Sequence, residues 1–478
     1  MEILIFIGAA LVLLLAFVLI RALFFRPYPM KEVPPFAVEV DRDRAVENLT
    51  RMIRCKTVSY LDTSLEAEGE FEKFRALLRE CYPLVHQYCQ FQHIGRTGLL
   101  YHWQGKSSEK PTVYMAHYDV VPAEEEAWEQ PPFAGIIKDG FLWGRGTLDT
   151  KGTLCAILEG AEHLLAQGFA PANDIYLSFS GDEETNGASA SDIVDYLAAN
   201  GITPHMVLDE GGAIVQGAVP GVQEKCALVG TGEKGKLHLR FTVKSKGGHA
   251  SSPPPRTPIG VLARAVCAVE NKPFRFHMAG PAREMFDILG RHAGFGLKLV
   301  FANLKLFAPL LNLATKKLGG ELNALVRTTV AFTKMKASDT VNVFPAAASV
   351  EADVRMMEGD TMDSVIATLK QRIGNDAVEI EAVNAIEVMP FSTVGTEPWQ
   401  RLEEGIRQMW PGTLVSPYMM LACTDSRHFT RICPNVLRFC AMELSAEERK
   451  MIHGSNERIP LSKIEATVQF FICMLLKS

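Results

Sequence analysis

The chain has 478 residues, of which 47% are hydrophobic and 22% charged, so it carries ample apolar material for folded cores and is neither disordered nor fibrous. Lys+Arg 49 against Asp+Glu 55 leaves a formal charge of -6 with no dense basic patch, which argues against nucleic acid as a partner. The 10 cysteines are scattered without a Cys-x-x-Cys pair, so no structural zinc knuckle is encoded and the thiols read as core residues of a reducing compartment.

The first element in chain order is an apolar run, Ile3 to Phe25, without a charge before Arg21. It is long enough to cross a hydrocarbon core of about 30 Å, so a single transmembrane anchor over residues 3–25 is expected. A cleaved signal peptide is the competing reading, but Glu2 stands where a positive region belongs and Arg21-Ala22-Leu23-Phe24-Phe25-Arg26 offers no small-residue cleavage site. Arg21, Arg26 and Lys31 on the C-terminal flank point the globular part to the cytoplasm by the positive-inside rule, with the side of the membrane otherwise open. Residues 26–40 are Pro-rich and read as an extended linker.

From residue 41 the pattern alternates between helix and strand, which predicts an α/β fold with a mixed central sheet. Helices are expected near Asp43–Arg54, Glu66–Glu80 and Thr153–Gln167, and strands at Thr112–Ala116, Asp174–Ser180 and His205–Asp209. The texture changes after Gly235, where an alternating strand Lys236–Lys246 and a helix from Ile259 open a second body. Strands near Val341–Pro345 and Ala348–Arg355, the helix Thr361–Ile373 and the strand Val378–Val388 complete a βαββαβ lid. The expected division is therefore a catalytic domain assembled from residues 41–235 and 391–478, interrupted by a lid and dimerisation domain over 236–390 with a helical insertion near 274–334. Within the insertion Val300, Leu304, Phe307 and Leu311 share helical spacing, which suits a membrane-dipping helix, an acyl-binding groove, or plain packing on the lid or a second subunit.

The chemistry-bearing residues fall at strand ends, where open α/β sheets build their sites. His117 and Asp119 in Met115-Ala116-His117-Tyr118-Asp119 point to one side by the period of two, so Asp119 can orient the imidazole. Asp149 follows a glycine-rich turn, Gly144-Arg145-Gly146-Thr147-Leu148-Asp149, that lacks the phosphate-cradle signature. Ser180-Gly181-Asp182-Glu183-Glu184 and Leu208-Asp209-Glu210-Gly211-Gly212 each end a hydrophobic strand in carboxylates. Acidic runs are ordinarily solvated faces, but several buried at strand ends would each cost several kcal/mol without a cation. With His453 in His453-Gly454-Ser455-Asn456-Glu457-Arg458, the set has the ligand chemistry of a zinc pair.

Together these blocks resemble the co-catalytic zinc hydrolases that include aminoacylase, acetylornithine deacetylase and carboxypeptidase S, over about Asp43–Leu476. The resemblance implies two Zn²⁺ ions, with Co²⁺ or Mn²⁺ as substitutes, held by His117 and Asp209 on one side and Glu184 and His453 on the other, with Asp149 bridging. It further implies that Asp119 orients His117 and that Glu183 is the general base. It assigns His249, in Gly247-Gly248-His249-Ala250-Ser251, to the oxyanion across a homodimer, and Asn342 and Arg355 to the substrate carboxylate. Met356-Met357-Glu358-Gly359 replaces the usual Pro-Gly continuation after that arginine. Cys423-Thr424-Asp425-Ser426-Arg427-His428-Phe429 is similar to the carboxypeptidase S branch, with Cys423 where glycine is common, and adds Thr424 and Arg427 as substrate-binding candidates. Support of the site wall is the competing role for Arg427 and His428.

The activity implied is hydrolysis of the amide of an N-acyl, and especially N-fatty-acyl, amino acid, with condensation as the reverse. A carboxypeptidase or dipeptidase acting on short peptides is the alternative. From other classes, an inactive binding scaffold is opposed by the complete ligand set with Glu183, and a transporter by the single spanning segment.

Overall fold

The computed structural model describes residues 1–30, 32–218 and 221–478; Lys31, counted above among the flanking charges, lies outside the described residues. The protein is an α/β structure whose central sheet has eight strands of mixed direction. In spatial order they are Gln90–Ile94, Gly98–Trp103, Asn173–Ser180, Ser107–His117, Met206–Gln216, Val436–Glu443, Lys225–Glu233 and Leu414–Met420. Ser107–His117 is parallel to both its neighbours, and its register sets His117 opposite Ser180. Parallel strands thus release their C-terminal ends along one edge of the sheet, as the sequence pattern implied.

The helix Lys151–Ala166 is buried along nearly its whole length, and it packs between the sheet and the helix Leu461–Leu476. Its buried carboxylates are partnered, Glu159 accepting from Arg44 and Asn48 and Glu162 from the backbone N–H groups of Leu84 and Val85, so the helix can lie inside a layered core. Phe36 donates its backbone N–H to Gln408 O, and Gln469 donates to Val38 O, so the linker lies against the body as an extended strap.

A second, four-stranded antiparallel sheet has the order Thr329–Lys336, Ala347–Met356, Gly235–Lys244, Glu379–Ile386. The helices Pro258–Glu270 and Met362–Ile373 close one face over a core of Leu239, Phe241, Leu262, Val350, Val354 and Leu369. The βαββαβ order holds, but its second strand is Thr329–Lys336 and not Val341–Pro345. Only Val343–Phe344 of that segment is strand, in a two-residue ribbon with Gly248–His249. Thr329–Lys336 escaped notice because it is an edge strand whose outer half is polar and exposed.

The insertion holds four helices, Gly280–Gly290, Phe295–Ala302, Leu304–Leu318 and Gly320–Ala324. The helical spacing of Val300, Leu304, Phe307 and Leu311 does not belong to one helix: the chain breaks at Asn303, and the two helices that meet there bend by 109°. The N-terminal helix Glu2–Phe24 packs on this insertion through Val18 and Ala22 and otherwise leaves its apolar surface exposed.

Candidate active site

His117 ends its strand with its ring 2% exposed, and its Nδ1 lies 3.0 Å from the main-chain O and 3.3 Å from Oδ1 of Asp119. That contact places the ring proton on Nδ1 and leaves the Nε2 lone pair directed into the site. Asp119 also accepts from Ser59 Oγ and from the backbone N–H groups of Glu183 and Glu184. One buried carboxylate therefore orients the histidine and holds the backbone of the acidic pair.

Asp149 stands at the centre. Its Oδ1 is 3.1 Å from His117 Nε2, and its Oδ2 is 3.0 Å from His453 Nε2. Glu210 Oε1 joins the first half at 3.4 Å from His117 Nε2, and Glu184 Oε2 joins the second at 3.0 Å from His453 Nε2. Two nitrogen–carboxylate half-sites thus share one aspartate, the donor arrangement that a pair of divalent cations requires. Glu183 converges on His117 and Glu210, and also lies at this centre.

The electrostatics support the same conclusion. Burial drives Glu183 well above the usual carboxylate range, with Asp425, Glu210 and Glu184 adding to the rise against the pull of His117. Burial likewise pushes Glu210 up to about 8. Hydrogen bonds donated to Asp149 and Glu184 lift His453 to about 10. At His117 burial is the largest effect and lowers the pKa, but the charge of Glu210 and the hydrogen bonds to Asp119, Asp149 and Glu210 together carry it well above the usual imidazole value. Carboxylates outnumber histidines here, so the protein alone balances the charge only by holding extra protons. Bound cations would take their place, and the residues fit a dinuclear metal centre.

The strand Met206–Gln216 corrects the expected ligand set. Asp209 does not face His117: its Oδ2 accepts the backbone N–H of Ser426, and Arg438 lies beside it in register. Glu210, one residue on and therefore on the opposite face, supplies the carboxylate. The strand expected to end at Asp209 continues through a bulge at 210–211. Gly211, at a φ of 139°, and Gly212, where a Cβ would sit 1.7 Å from Leu228 O, permit that turn and the close approach. The consecutive glycines were the available signal.

Glu457 is a site residue that the motifs did not reveal. Fully buried, it accepts the backbone N–H groups of Gly146, Leu148 and Asp149 and pairs with Arg145 Nη1 at 2.9 Å. It thereby shapes the loop that presents Asp149 and ties it to the segment bearing His453.

Thr424 and Arg427 are corrected from substrate groups to wall supports. Thr424 is 4% exposed and gives its hydroxyl and backbone N–H to Glu233 Oε1, which also receives Arg438 Nε. Arg427, equally buried, donates to Thr424 O within its own turn. Arg355 is half-buried on the lid sheet, with Nε on Asp353 Oδ1 at 2.8 Å and Nη1 facing Leu421 O and Cys423 Sγ. His249 is exposed, its Nδ1 2.8 Å from Ser251 Oγ, and Ala250 N–H donates to Asn342 O, so the ribbon brings His249 and Asn342 together.

Comparison with known proteins agrees with this geometry. The model of peptidase family M20/M25/M40 matches residues 113–477. A probable carboxypeptidase S-like 2 of Dictyostelium discoideum is 37% identical over 89% of this chain and 83% of its own. The N-fatty-acyl-amino acid synthase/hydrolase PM20D1 of Xenopus tropicalis is 36% identical over 92% and 87%. In fold, the M20 family metallo-carboxypeptidase Sso-CP2 of Sulfolobus solfataricus superposes with a TM-score of 0.67 at 18% identity, covering 90% of this chain and 98% of that one. With the match spanning the strand of His117 through the final helix, the chain belongs to the M20/M25/M40 family of metallopeptidases.

Proposed function

We propose that the protein is a membrane-anchored, zinc-dependent amidohydrolase that splits N-fatty-acyl amino acids into fatty acid and amino acid, and that also runs the condensation when both products are abundant. The observation that carries this reading is the sharing of Asp149 between the His117–Glu210 and His453–Glu184 pairs with Glu183 alongside. A metal pair held by His117, Glu210, Asp149, Glu184 and His453 would supply Lewis acidity, make the attacking water more acidic and favour the ionised form of Glu183. Glu183 takes the proton of that water as its oxygen bonds to the carbonyl carbon, then passes it to the nitrogen as the C–N bond breaks. Asp119 and Glu457 keep the donors in place through these steps. His249 donates to the developing oxyanion of a partner subunit, a role that its exposure on the lid supports. Arg355, with Asn342 on the same lid, receives the amino acid carboxylate.

A lipophilic acyl group is favoured by the 36% identity to the N-fatty-acyl-amino acid synthase/hydrolase PM20D1 of Xenopus tropicalis. The helix Glu2–Phe24, 23 residues and about 34 Å long at 1.5 Å per residue, is the proposed anchor. The likeness to a probable carboxypeptidase keeps peptide hydrolysis as the second reading. Hydrolysis of N-oleoyl-phenylalanine and of an unmodified dipeptide, compared before and after chelation, separates the two. Chelator-sensitive cleavage of the oleoyl compound alone upholds the proposal, and cleavage of the dipeptide alone overturns it.

A further inference from the structure

The helix Leu304–Leu318 carries more apolar surface than the body of the protein covers. Its shielded side mixes the half-buried Leu304, Phe307 and Leu311 with two polar groups, Asn312 Oδ1 and Thr315 Oγ1, which accept from Arg327 Nη2 at 3.0 and 2.8 Å. Its outward side carries Leu306, Leu310 and Leu313, at 48, 56 and 61% exposure and at i, i+4, i+7 spacing. A surface helix in water turns its leucines inward and its amides outward. Lys305, Lys316 and Lys317 flank this stripe in the open, and no acidic residue occurs anywhere from 295 to 318.

The position of the helix relative to the N-terminal helix identifies what covers the stripe. Asn303, at the bend between the insertion helices, donates through Nδ2 to Val18 O at 3.2 Å and to Leu299 O at 2.9 Å. Arg291 stacks over Phe25 and Tyr28, and the Tyr28 hydroxyl donates to Asp287. The insertion is thus fastened to the last turns of the N-terminal helix. Val18 lies six residues before Phe24, which is about 9 Å along the axis. A helix lying in the headgroup–acyl boundary sinks by about 5–10 Å.

We infer that the helix Leu304–Leu318 is a second membrane element, lying in the interface of the same bilayer leaflet from which the N-terminal helix emerges, with its leucines in the acyl region and its lysines at anionic headgroups. This inference rests on the anchor reading above. A bilayer is the occupant that accounts for both the leucine stripe and the lysines, and it also covers the apolar sides of the N-terminal helix. The site is then held at a fixed distance from the membrane surface instead of swinging on the linker.

The test uses the full chain in phosphatidylcholine–phosphatidylserine vesicles, with a nitroxide at Leu310→Cys in a Cys267→Ser background and its collision rates with oxygen and with a nickel chelate measured. Matching labels at Leu13→Cys and Val383→Cys serve as anchor and aqueous references, and Leu313→Cys repeats the measurement from a second position. The inference expects Leu310 and Leu313 to favour oxygen at a depth of about 5–10 Å, shallower than Leu13, while Val383 favours nickel. Nickel-accessible labels at 310 and 313 with Leu13 still buried would overturn the inference and leave the anchor intact. A nickel-accessible Leu13 would remove the anchor reading and the inference with it. Labels at 310 and 313 shielded from both reagents, with dipolar broadening, would mean that a second copy covers the face, which also overturns it.

Discussion

Replacing Glu457 by Gln tests whether the loop carrying Asp149 is held by one buried charge. Glu457 and Arg145 are both out of solvent, and the carboxylate takes three backbone N–H groups besides the guanidinium. Removing one partner of such a pair leaves a buried charge uncompensated, at about 3–5 kcal/mol. Burial already pushes the Glu457 carboxyl above its usual range despite Arg145 beside it, so some of the attraction is offset by desolvation. The expected loss is therefore at the lower end, about 3 kcal/mol, read from urea unfolding of the metal-free protein. Displacement of Asp149 should also weaken metal binding by about 10–100-fold in chelator competition. Adding Arg145→Met should recover some of the stability, because no orphan charge remains. Wild-type stability and metal affinity in Glu457→Gln, or a double variant as unstable as the sum of the singles, would refute the reasoning.

Metal analysis should distinguish the adjacent carboxylates: Glu210→Ala is expected to lose about one cation per chain, whereas Asp209→Asn keeps both and loses stability instead through its contact with Ser426. Lys234 is buried with Nζ on the carbonyls of Ala324 and Arg327, and burial lowers its pKa to about 7. Between pH 7 and the ordinary lysine value the unfolded chain binds the extra proton, so wild-type stability should rise with pH relative to Lys234→Met, and a flat difference across that window would count against it. His249→Ala should lower turnover without changing metal content. Mixing it with Glu183→Gln should restore activity if the site is shared between subunits, and no restoration after verified subunit exchange would remove the shared site.

Much of the site was legible because its chemistry is concentrated in short motifs at strand ends. His117, Asp149, Glu184 and His453 were expected and converge, since alternation along a strand and turns at its end fix side-chain direction locally. Asp209 failed for the same physical reason: in Asp-Glu-Gly-Gly only the register distinguishes the two faces, and a bulge resets it. Glu457, Glu233 and Arg438 were silent because a buried charge is recognisable only from its partner, here more than 200 residues away in each case. In the lid, Thr329–Lys336 was hidden by its polar outer half. The insertion misled in the opposite sense, because a continuous apolar period gave no sign of the bend at Asn303 or of leucines turned outward.

The most direct test of the central claim is turnover of N-oleoyl-phenylalanine by the wild-type and Glu183→Gln enzymes, each with its metal content measured on the same sample. Two zinc ions per chain in both, with kcat reduced by about 10²–10⁴-fold in the variant and abolished in both by chelation, is the expected result. Undiminished turnover in Glu183→Gln with its metals in place, or wild-type turnover that survives complete metal removal, would contradict a metal-assisted amide hydrolysis based on Glu183.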